Sequence, residues 1–143
     1  MNEDSIQLLH KCNIGCKTAT NSIEQILPNV TAPEFLDLLR IYDKKHAELG
    51  KRFHDCLTEI DEPEKDPSPV MRVMTWFGTQ MRLMPHADDK KIAKLMMDGC
   101  NMGIESSASY LNEYKDAQKN IQELAQDLIQ LEEDFQKALM TFL

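Results

Sequence analysis

The acidic, proline-rich stretch Asp61-Glu-Pro-Glu-Lys-Asp-Pro-Ser-Pro69 separates two halves of the sequence that each carry helical patterning. Proline has no amide hydrogen to donate and clashes with the preceding turn, so repeated prolines stop a helix and delay the next one. Ser68 followed by Pro69 is a typical helix start, with serine as the N-cap and proline at the first helical position. We therefore interpret the stretch as a linker that leads from one pair of helices into a connecting helix.

Before the linker, apolar residues recur at alternating spacings of three and four, which predicts two amphipathic helices joined by a tight turn. The first helix covers about residues 4–27 and the second about residues 32–60. Thr31 and Glu34 match a capping box, with Thr31 as the N-cap of the second helix. His46 falls on the predicted inward face of that helix.

Three further helices are predicted at about residues 69–84, 88–114 and 117–142. The first of these is short and apolar nearly all round its circumference, which is more than one packing face can cover. We expect it to pack on the rest of the chain and on a second copy, which would make the protein a homo-oligomer. The side chains predicted to form that contact are Met71, Met74, Trp76, Met81 and Leu83.

No alternating strand pattern of useful length appears, so the predicted fold class is all-α. Two helices joined tightly are followed by a connection of about 25 residues that holds the short helix, and then by two more helices joined tightly. A chain of 143 residues suits one domain, which would cover residues 1–143 and bury its own core. The prediction is a four-helix bundle with a crossover helix between its second and third main helices.

The composition argues against several classes of function. The net charge of -8 opposes binding to the phosphates of nucleic acids and to acidic membrane surfaces. No run approaches the roughly 20 apolar residues that a membrane span needs, and the first residues lack the basic region and apolar run of a secretory signal. No nucleophile elbow, phosphate loop or zinc-protease motif is present. We therefore expect a cytoplasmic protein whose four cysteines are free thiols.

Two glycines interrupt the predicted helix 88–114, within Asp98-Gly-Cys-Asn-Met-Gly-Ile-Glu105. In a helix interior each glycine costs about 1 kcal/mol relative to alanine, so Gly99 and Gly103 need a reason in packing or in ligand binding. If the second and third main helices run parallel, both glycines fall in a middle layer that is small and mildly polar. That layer contains Asn13, Gly15, Cys16, His46, Gly50, Gly99, Cys100, Met102 and Gly103, and Leu128 and Leu131 close its fourth side.

This middle layer has more than one interpretation. In the first, the glycines let helices approach closely, the cysteines act as small apolar residues, and His46 is satisfied by Asp43 or by a backbone carbonyl. In a second, the glycines hollow out a pocket for an apolar or aromatic ligand beneath Tyr42 and Tyr110. In a third, a single metal ion is bound by His46 with Cys16, Cys100 or Cys12, because thiolate and imidazole suit zinc or copper(I).

The long connection between the second and third main helices resembles the ferritin-like four-helix bundle. More narrowly, Ala93-Lys-Leu-Met-Met-Asp-Gly-Cys-Asn-Met-Gly-Ile-Glu-Ser106 is similar to a segment of an uncharacterised bacterial family in that superfamily, a domain of unknown function. The ferritin-like resemblance implies a glutamate on each of two helices and a Glu-x-x-His pair on each of the other two, all facing a di-iron centre.

Only part of that ligand set can be matched to this sequence. Asp43-Lys-Lys-His46 is a shortened version of the Glu-x-x-His pair on the expected helix, and Glu105 lies within about a turn of the expected position. Glu24 lies far from the level of His46. The last helix carries no histidine, and its acids are predicted beside or opposite the apolar stripe: Asp127, Glu132, Glu133 and Asp134.

We therefore predict a non-enzymatic structural or interaction protein that has lost the di-iron ligand set and needs no cofactor. The alternative is a metal-dependent redox or storage protein with a degenerate site for iron, manganese, zinc or copper. The ligands of that site would be Asp43, His46 and Glu105, with Cys16 and Cys100 as softer ligands. A single zinc or copper ion would need only His46 with Cys16, Cys100 or Cys12.

Overall fold

The computed structural model describes residues 1–63, 68–84 and 86–143, and in these ranges it contains helices and no strand. The all-α prediction is therefore confirmed for the described residues. The helices are α1 (Glu3–Ile26), α2 (Pro33–Glu59), α3 (Ser68–Leu83), α4 (Asp89–Glu113) and α5 (Lys119–Leu139), with short 3-10 helices at Leu27–Asn29 and Met140–Phe142. Nowhere in these ranges is a helix long and apolar enough to cross a membrane.

The helix boundaries lie within three residues of the predicted ones. The largest difference is at the end of α5, where the regular helix stops at Leu139 and the chain tightens into a 3-10 helix instead of continuing to residue 142. The structure has α3 beginning at Ser68, one residue before the predicted start. Residues 64–67 of the predicted linker and the helix break predicted at Pro85 lie outside the described residues.

Asp89, the first residue of α4, joins the start of α4 to the start of α2. Its carboxylate accepts hydrogen bonds from the amides of Thr31 at 2.9 Å and Ala32 at 2.8 Å, and from the Thr31 hydroxyl at 3.1 Å. Burial works to raise the pKa of Asp89, but these three hydrogen bonds outweigh it and lower the pKa. The predicted capping box is therefore wrong: Ala32 is the N-cap of α2, and the Thr31 side chain binds the other helix instead.

The opposite end of the protein brings the start of α1 to the turn between α4 and α5. The Asn2 side chain donates to the carbonyl of Asp116 at 2.8 Å, and the Asp116 amide donates to the Asp4 carboxylate at 3.0 Å. The Gln118 amide donates to the Ser5 hydroxyl at 2.8 Å. Since α1 and α5 start at this end and α2 and α4 start at the other, α2 and α4 point in the same direction, as the sequence analysis assumed.

The apolar core is divided into two clusters along the helices. One contains Ile23, Ile26, Phe35, Leu39, Ile92, Phe135 and Leu139, and the other contains Leu8, Leu9, Phe53, Leu57, Ile121, Leu124 and Leu128. On α2, His46 falls between the residues that α2 contributes to the two clusters, and on α5 Glu132 occupies the corresponding position. A polar middle layer thus separates two apolar ends.

The connecting helix α3 packs on the rest of the chain through one face only. Val70 and Phe77 are buried, and the Phe77 ring lies so close to Gly99 of α4 that a Cβ atom there would be 2.9 Å from its Cζ. On the other face, Met71 is 61% exposed and Leu83 is 71% exposed, and Trp76 is also exposed. This helix lies in the segment that links the two helix pairs along the chain, and it leaves much of its apolar surface uncovered in the single chain.

Candidate functional site

His46 lies at the centre of the middle layer, and its side chain is fully buried. Its Nδ1 atom is 2.6 Å from the carbonyl oxygen of Tyr42, one turn earlier in α2. A carbonyl oxygen can only accept a hydrogen bond, so Nδ1 carries a hydrogen and donates it. The expectation that a backbone carbonyl satisfies His46 is confirmed. The other ring nitrogen, Nε2, faces across the layer toward α5.

Glu132 of α5 meets that nitrogen, with its Oε1 atom in direct contact with His46 Nε2. Glu132 is only 6% exposed, so both members of the pair are removed from water. Burial lowers the pKa of His46, but the hydrogen bond and the negative charge of Glu132 outweigh burial, and the net effect is a raised pKa. Each ring nitrogen of His46 thus faces an oxygen atom, which is the arrangement that an imidazolium paired with a carboxylate would make.

Cys100 of α4 reaches the same carboxylate from a third helix. Burial, the negative charge of Glu132 and hydrogen bonding to that carboxylate raise the pKa of the Cys100 thiol far above its usual range. Burial also raises the pKa of Cys16 on α1, with smaller contributions from Cys12 and Glu132. Both cysteines therefore stay in the thiol form, which is a poor nucleophile and a poor metal ligand.

Sequence analysis placed Glu132 beside or opposite the apolar stripe of the last helix and left only leucines facing the middle layer, which is wrong. Glu132 follows Leu128 by four residues and precedes Phe135 by three, and both of those side chains are buried. On a helix these spacings put all three residues on one face. Leu131, which was predicted to close the layer, is only half-buried. The helical spacing therefore places Glu132 on the inward face of α5 even though its side chain is charged.

Asp43 lies beside His46 and belongs to a second carboxyl pair. It is half-buried and hydrogen-bonded to Glu24 of α1. Burial, together with the charge and the hydrogen bond of Glu24, raises the pKa of Asp43 against the opposing effect of His46. Glu24, Asp43 and His46 all line a groove of about 470 Å³ between α1 and α2, so the expectation that Glu24 lies far from the level of His46 is wrong.

The predicted metal ligands are only partly brought together. The charge of Glu132 acts on His46, Cys16 and Cys100, and that of Asp43 acts on His46, whereas Glu105 lies exposed at the surface of α4. Within the described ranges, no group of three or more His, Cys, Asp or Glu side chains has an arrangement that could hold a metal ion. The nitrogen of His46 that a metal would need is already in contact with Glu132.

Beside the His46–Glu132 pair, a partly enclosed cleft of about 200 Å³ lies between α1, α3, α4 and α5. Glu132 and Cys100 form part of its inner wall, and Lys11 and Tyr110 also line it. Lys11 lies over the Tyr110 ring, 5.4 Å from its centroid. The pocket predicted beneath Tyr42 and Tyr110 is therefore present on the Tyr110 side only, because Tyr42 is stacked on Phe135, with 4.6 Å between the ring centroids.

The site offers a buried ion pair, protonated thiols and a small cleft, and it contains no activated nucleophile. Such an arrangement can hold a layer of the core together and can accept a hydrogen bond from a small molecule. Comparison with known proteins gives the site no precedent: no protein-family model, no curated protein and no solved structure matches the chain.

Proposed function

We propose that the chain is a single-domain, ferritin-like four-helix bundle with α3 in its crossover, and that it serves as a non-enzymatic structural or interaction protein in the cytoplasm. The shared direction of α2 and α4 supports this topology, because a ferritin-like bundle needs a long connection between two parallel helices. The hydrogen bonds from Thr31 and Ala32 to Asp89 hold the first residues of α2 and α4 together.

One observation carries the proposed loss of the di-iron centre: His46 pairs with Glu132 in the layer where the metal ions would lie. In a ferritin-like centre, the last helix supplies Glu-x-x-His. Here Glu132 is followed at the same spacing by Phe135, whose ring packs edge-on against His46, with 5.9 Å between the ring centroids. The glutamate that would bind metal instead neutralises the histidine, and an apolar ring takes the place of the second imidazole.

Elemental analysis of protein purified without a histidine tag tests this proposal. We expect no stoichiometric iron, manganese, zinc or copper in the wild type or in His46→Ala. Stoichiometric metal in the wild type that disappears in His46→Ala would establish the alternative function, a metal-dependent redox or storage protein. His86→Ala is the matched control, because His86 is exposed and lies outside the middle layer.

A specific observation favours that alternative: the charge of one carboxylate, Glu132, raises the pKa of His46, Cys16 and Cys100, which lie on three other helices. Zinc or copper(I) could draw on imidazole, thiolate and carboxylate ligands if it displaced the protons that these groups now hold. Asp43 and Glu105 would have to move to complete the predicted set. Metal binding would then release protons, so a fall in pH in unbuffered solution on addition of zinc would accompany it.

We also propose that the uncovered face of α3 forms a homo-oligomer contact through Met71, Trp76 and Leu83. Of the other two side chains predicted for this contact, Met74 is half-buried and Met81 packs against the core of its own chain. The exposed apolar side chains at Met71, Trp76 and Leu83 support the contact, because large apolar patches on a single chain mark interaction sites. Light scattering at micromolar concentration should give at least a dimer for the wild type and a monomer for Leu83→Lys. A monomeric wild type would contradict the proposal.

A further inference from the structure

Three glycines line the cleft between α1, α3, α4 and α5. Gly15, Gly99 and Gly103 each face a side chain from another helix: Leu128, Phe77 and Glu132, respectively. Beyond these contacts, the described residues leave a cavity of about 200 Å³ next to a buried carboxylate.

Glu132 has hydrogen-bonding capacity left on the cleft side. A carboxylate offers about four acceptor positions on its two oxygens. His46 takes one on Oε1. The Oε2 atom packs against Gly103 of α4, where an added Cβ would be 3.3 Å from it, and Glu132 lines the cleft beside that contact.

We propose that this cleft binds a small neutral aromatic molecule with one hydroxyl or N–H donor, of the size of a phenol, which donates to Glu132. The ring would lie among Val73, Phe77 and Leu128, which supply apolar walls from α3 and α5. The inference does not depend on the proposed loss of the di-iron centre.

The size of the cleft sets the size of the ligand. A dry cavity of about 150 Å³ accepts benzene in other proteins, so a cleft of about 200 Å³ suits one ring with a polar substituent. Longer chains or fused ring systems of drug size need pockets of about 300 Å³ or more.

The charge of the inner wall sets the charge of the ligand. His46 already balances the charge of Glu132, so a cationic ligand would be buried without a counter-charge of its own. Benzoate has no hydrogen to donate to Glu132 and would be buried as a charge, which is costly without a paired cation, and Lys11, which also lines the cleft, lies over the Tyr110 ring. A neutral donor gains the hydrogen bond without either cost.

Calorimetric titration with phenol, toluene and benzoate tests the proposal on the full chain. We expect saturable binding of phenol, binding of toluene that is about tenfold weaker because the hydrogen bond is missing, and no binding of benzoate. Absence of phenol binding would overturn the proposal. Equal affinities for phenol and toluene would also overturn it, because Glu132 would then play no part.

Two variants locate the binding site. Ala19→Leu adds bulk to the lining of the cleft and should weaken phenol binding at least tenfold, whereas Ala47→Leu makes the same change in the α1–α2 groove and should leave it unchanged. His46→Leu/Glu132→Leu, which removes the acceptor together with its buried partner, should bring the affinities for phenol and toluene close together. Since that ratio is measured within one variant, a general loss of stability does not imitate it. Wild-type phenol affinity in Ala19→Leu would place the ligand elsewhere and refute the assignment.

Discussion

A Cβ atom on Gly103 would lie 3.3 Å from the Oε2 atom of Glu132, so the buried carboxylate of α5 occupies the space that a side chain of α4 would fill. Gly50 and Gly99 have the same relationship with Cys16 and Phe77, at 3.0 Å and 2.9 Å. These contacts are tighter than ordinary van der Waals contact. Each of the three glycines therefore accommodates one identified side chain from another helix.

Removing the carboxylate should destabilise the fold strongly. In Glu132→Leu the imidazole of His46 loses the partner that balances its charge, and breaking a buried ion pair in this way costs about 3–5 kcal/mol. Replacing both partners removes the charge as well, so His46→Leu/Glu132→Leu should recover most of the loss. Urea unfolding of the two single variants and the double variant measures the coupling. Additive losses in the double variant would show that the pair is not coupled.

The same pair should make stability depend on pH. The pKa of His46 is raised in the folded state, so the folded chain binds this proton more tightly than the unfolded chain, where the pKa is about 6.5. The stabilisation is fully present below that value and is lost as the pH rises through the folded-state pKa. The pKa of Asp43 is also raised, so its contribution to stability likewise falls as the pH rises, starting near the ordinary aspartate pKa of 3.8.

Urea unfolding from about pH 6 to pH 8, below the ordinary pKa of the cysteine thiols, should therefore show a falling free energy of unfolding in the wild type. The fall should be much smaller in His46→Leu/Glu132→Leu and unchanged in His86→Gln, which alters an exposed histidine. A wild-type profile that rises over this range would mean that His46 is neutral in the folded protein.

Gly99 and Gly15 should respond in opposite ways to the same substitution. An added methyl group at Gly99 would press on the buried Phe77 ring, and forced overpacking of this kind costs about 1–3 kcal/mol. At Gly15 the new Cβ would be 3.5 Å from Leu128, an ordinary contact, so Gly15→Ala should stabilise by about 0.4–1 kcal/mol by restricting the unfolded chain.

Thermal unfolding of Gly99→Ala and Gly15→Ala compares the two positions directly. Phe77→Leu removes the ring that meets Gly99, so Gly99→Ala should cost less in that background. Gly99→Leu, which adds a larger side chain, should destabilise more than Gly99→Ala. A Gly99→Leu variant that melts at the wild-type temperature would show that Phe77 can leave its position without loss.

The all-α class and the helix boundaries could be predicted from the sequence because proline placement and apolar spacing are local signals. The predicted N-cap at Thr31 failed because its hydroxyl is taken by Asp89, which is distant in sequence and close only after folding. Capping signals alone cannot reveal such a competitor. The shared direction of α2 and α4, by contrast, could be predicted from the length of the connection between them, which can be read from the sequence.

Only one of the two partners of His46 could be predicted from the sequence. His46 lies among apolar positions of its helix, and a carbonyl partner for it could be expected from general rules. Its second partner, Glu132, was not expected in the core, because charged residues are almost never fully buried unless they are paired. The presence of an unpaired inward histidine at the same level was the signal that could have corrected this assignment.

The four cysteines should divide into one accessible thiol and three protected ones. Cys12, Cys16 and Cys100 are buried, and burial raises the pKa of Cys12 to about 12, so almost none of these groups is thiolate near neutral pH. Cys56 is only half-buried; its pKa is raised as well, but reagents can reach it. We expect a disulfide reagent such as DTNB to modify one thiol of the native protein at about pH 8 and all four in denaturant. Cys56→Ser should abolish the native reaction, and rapid modification of Cys16 or Cys100, located by mass spectrometry, would show that the middle layer opens to solvent.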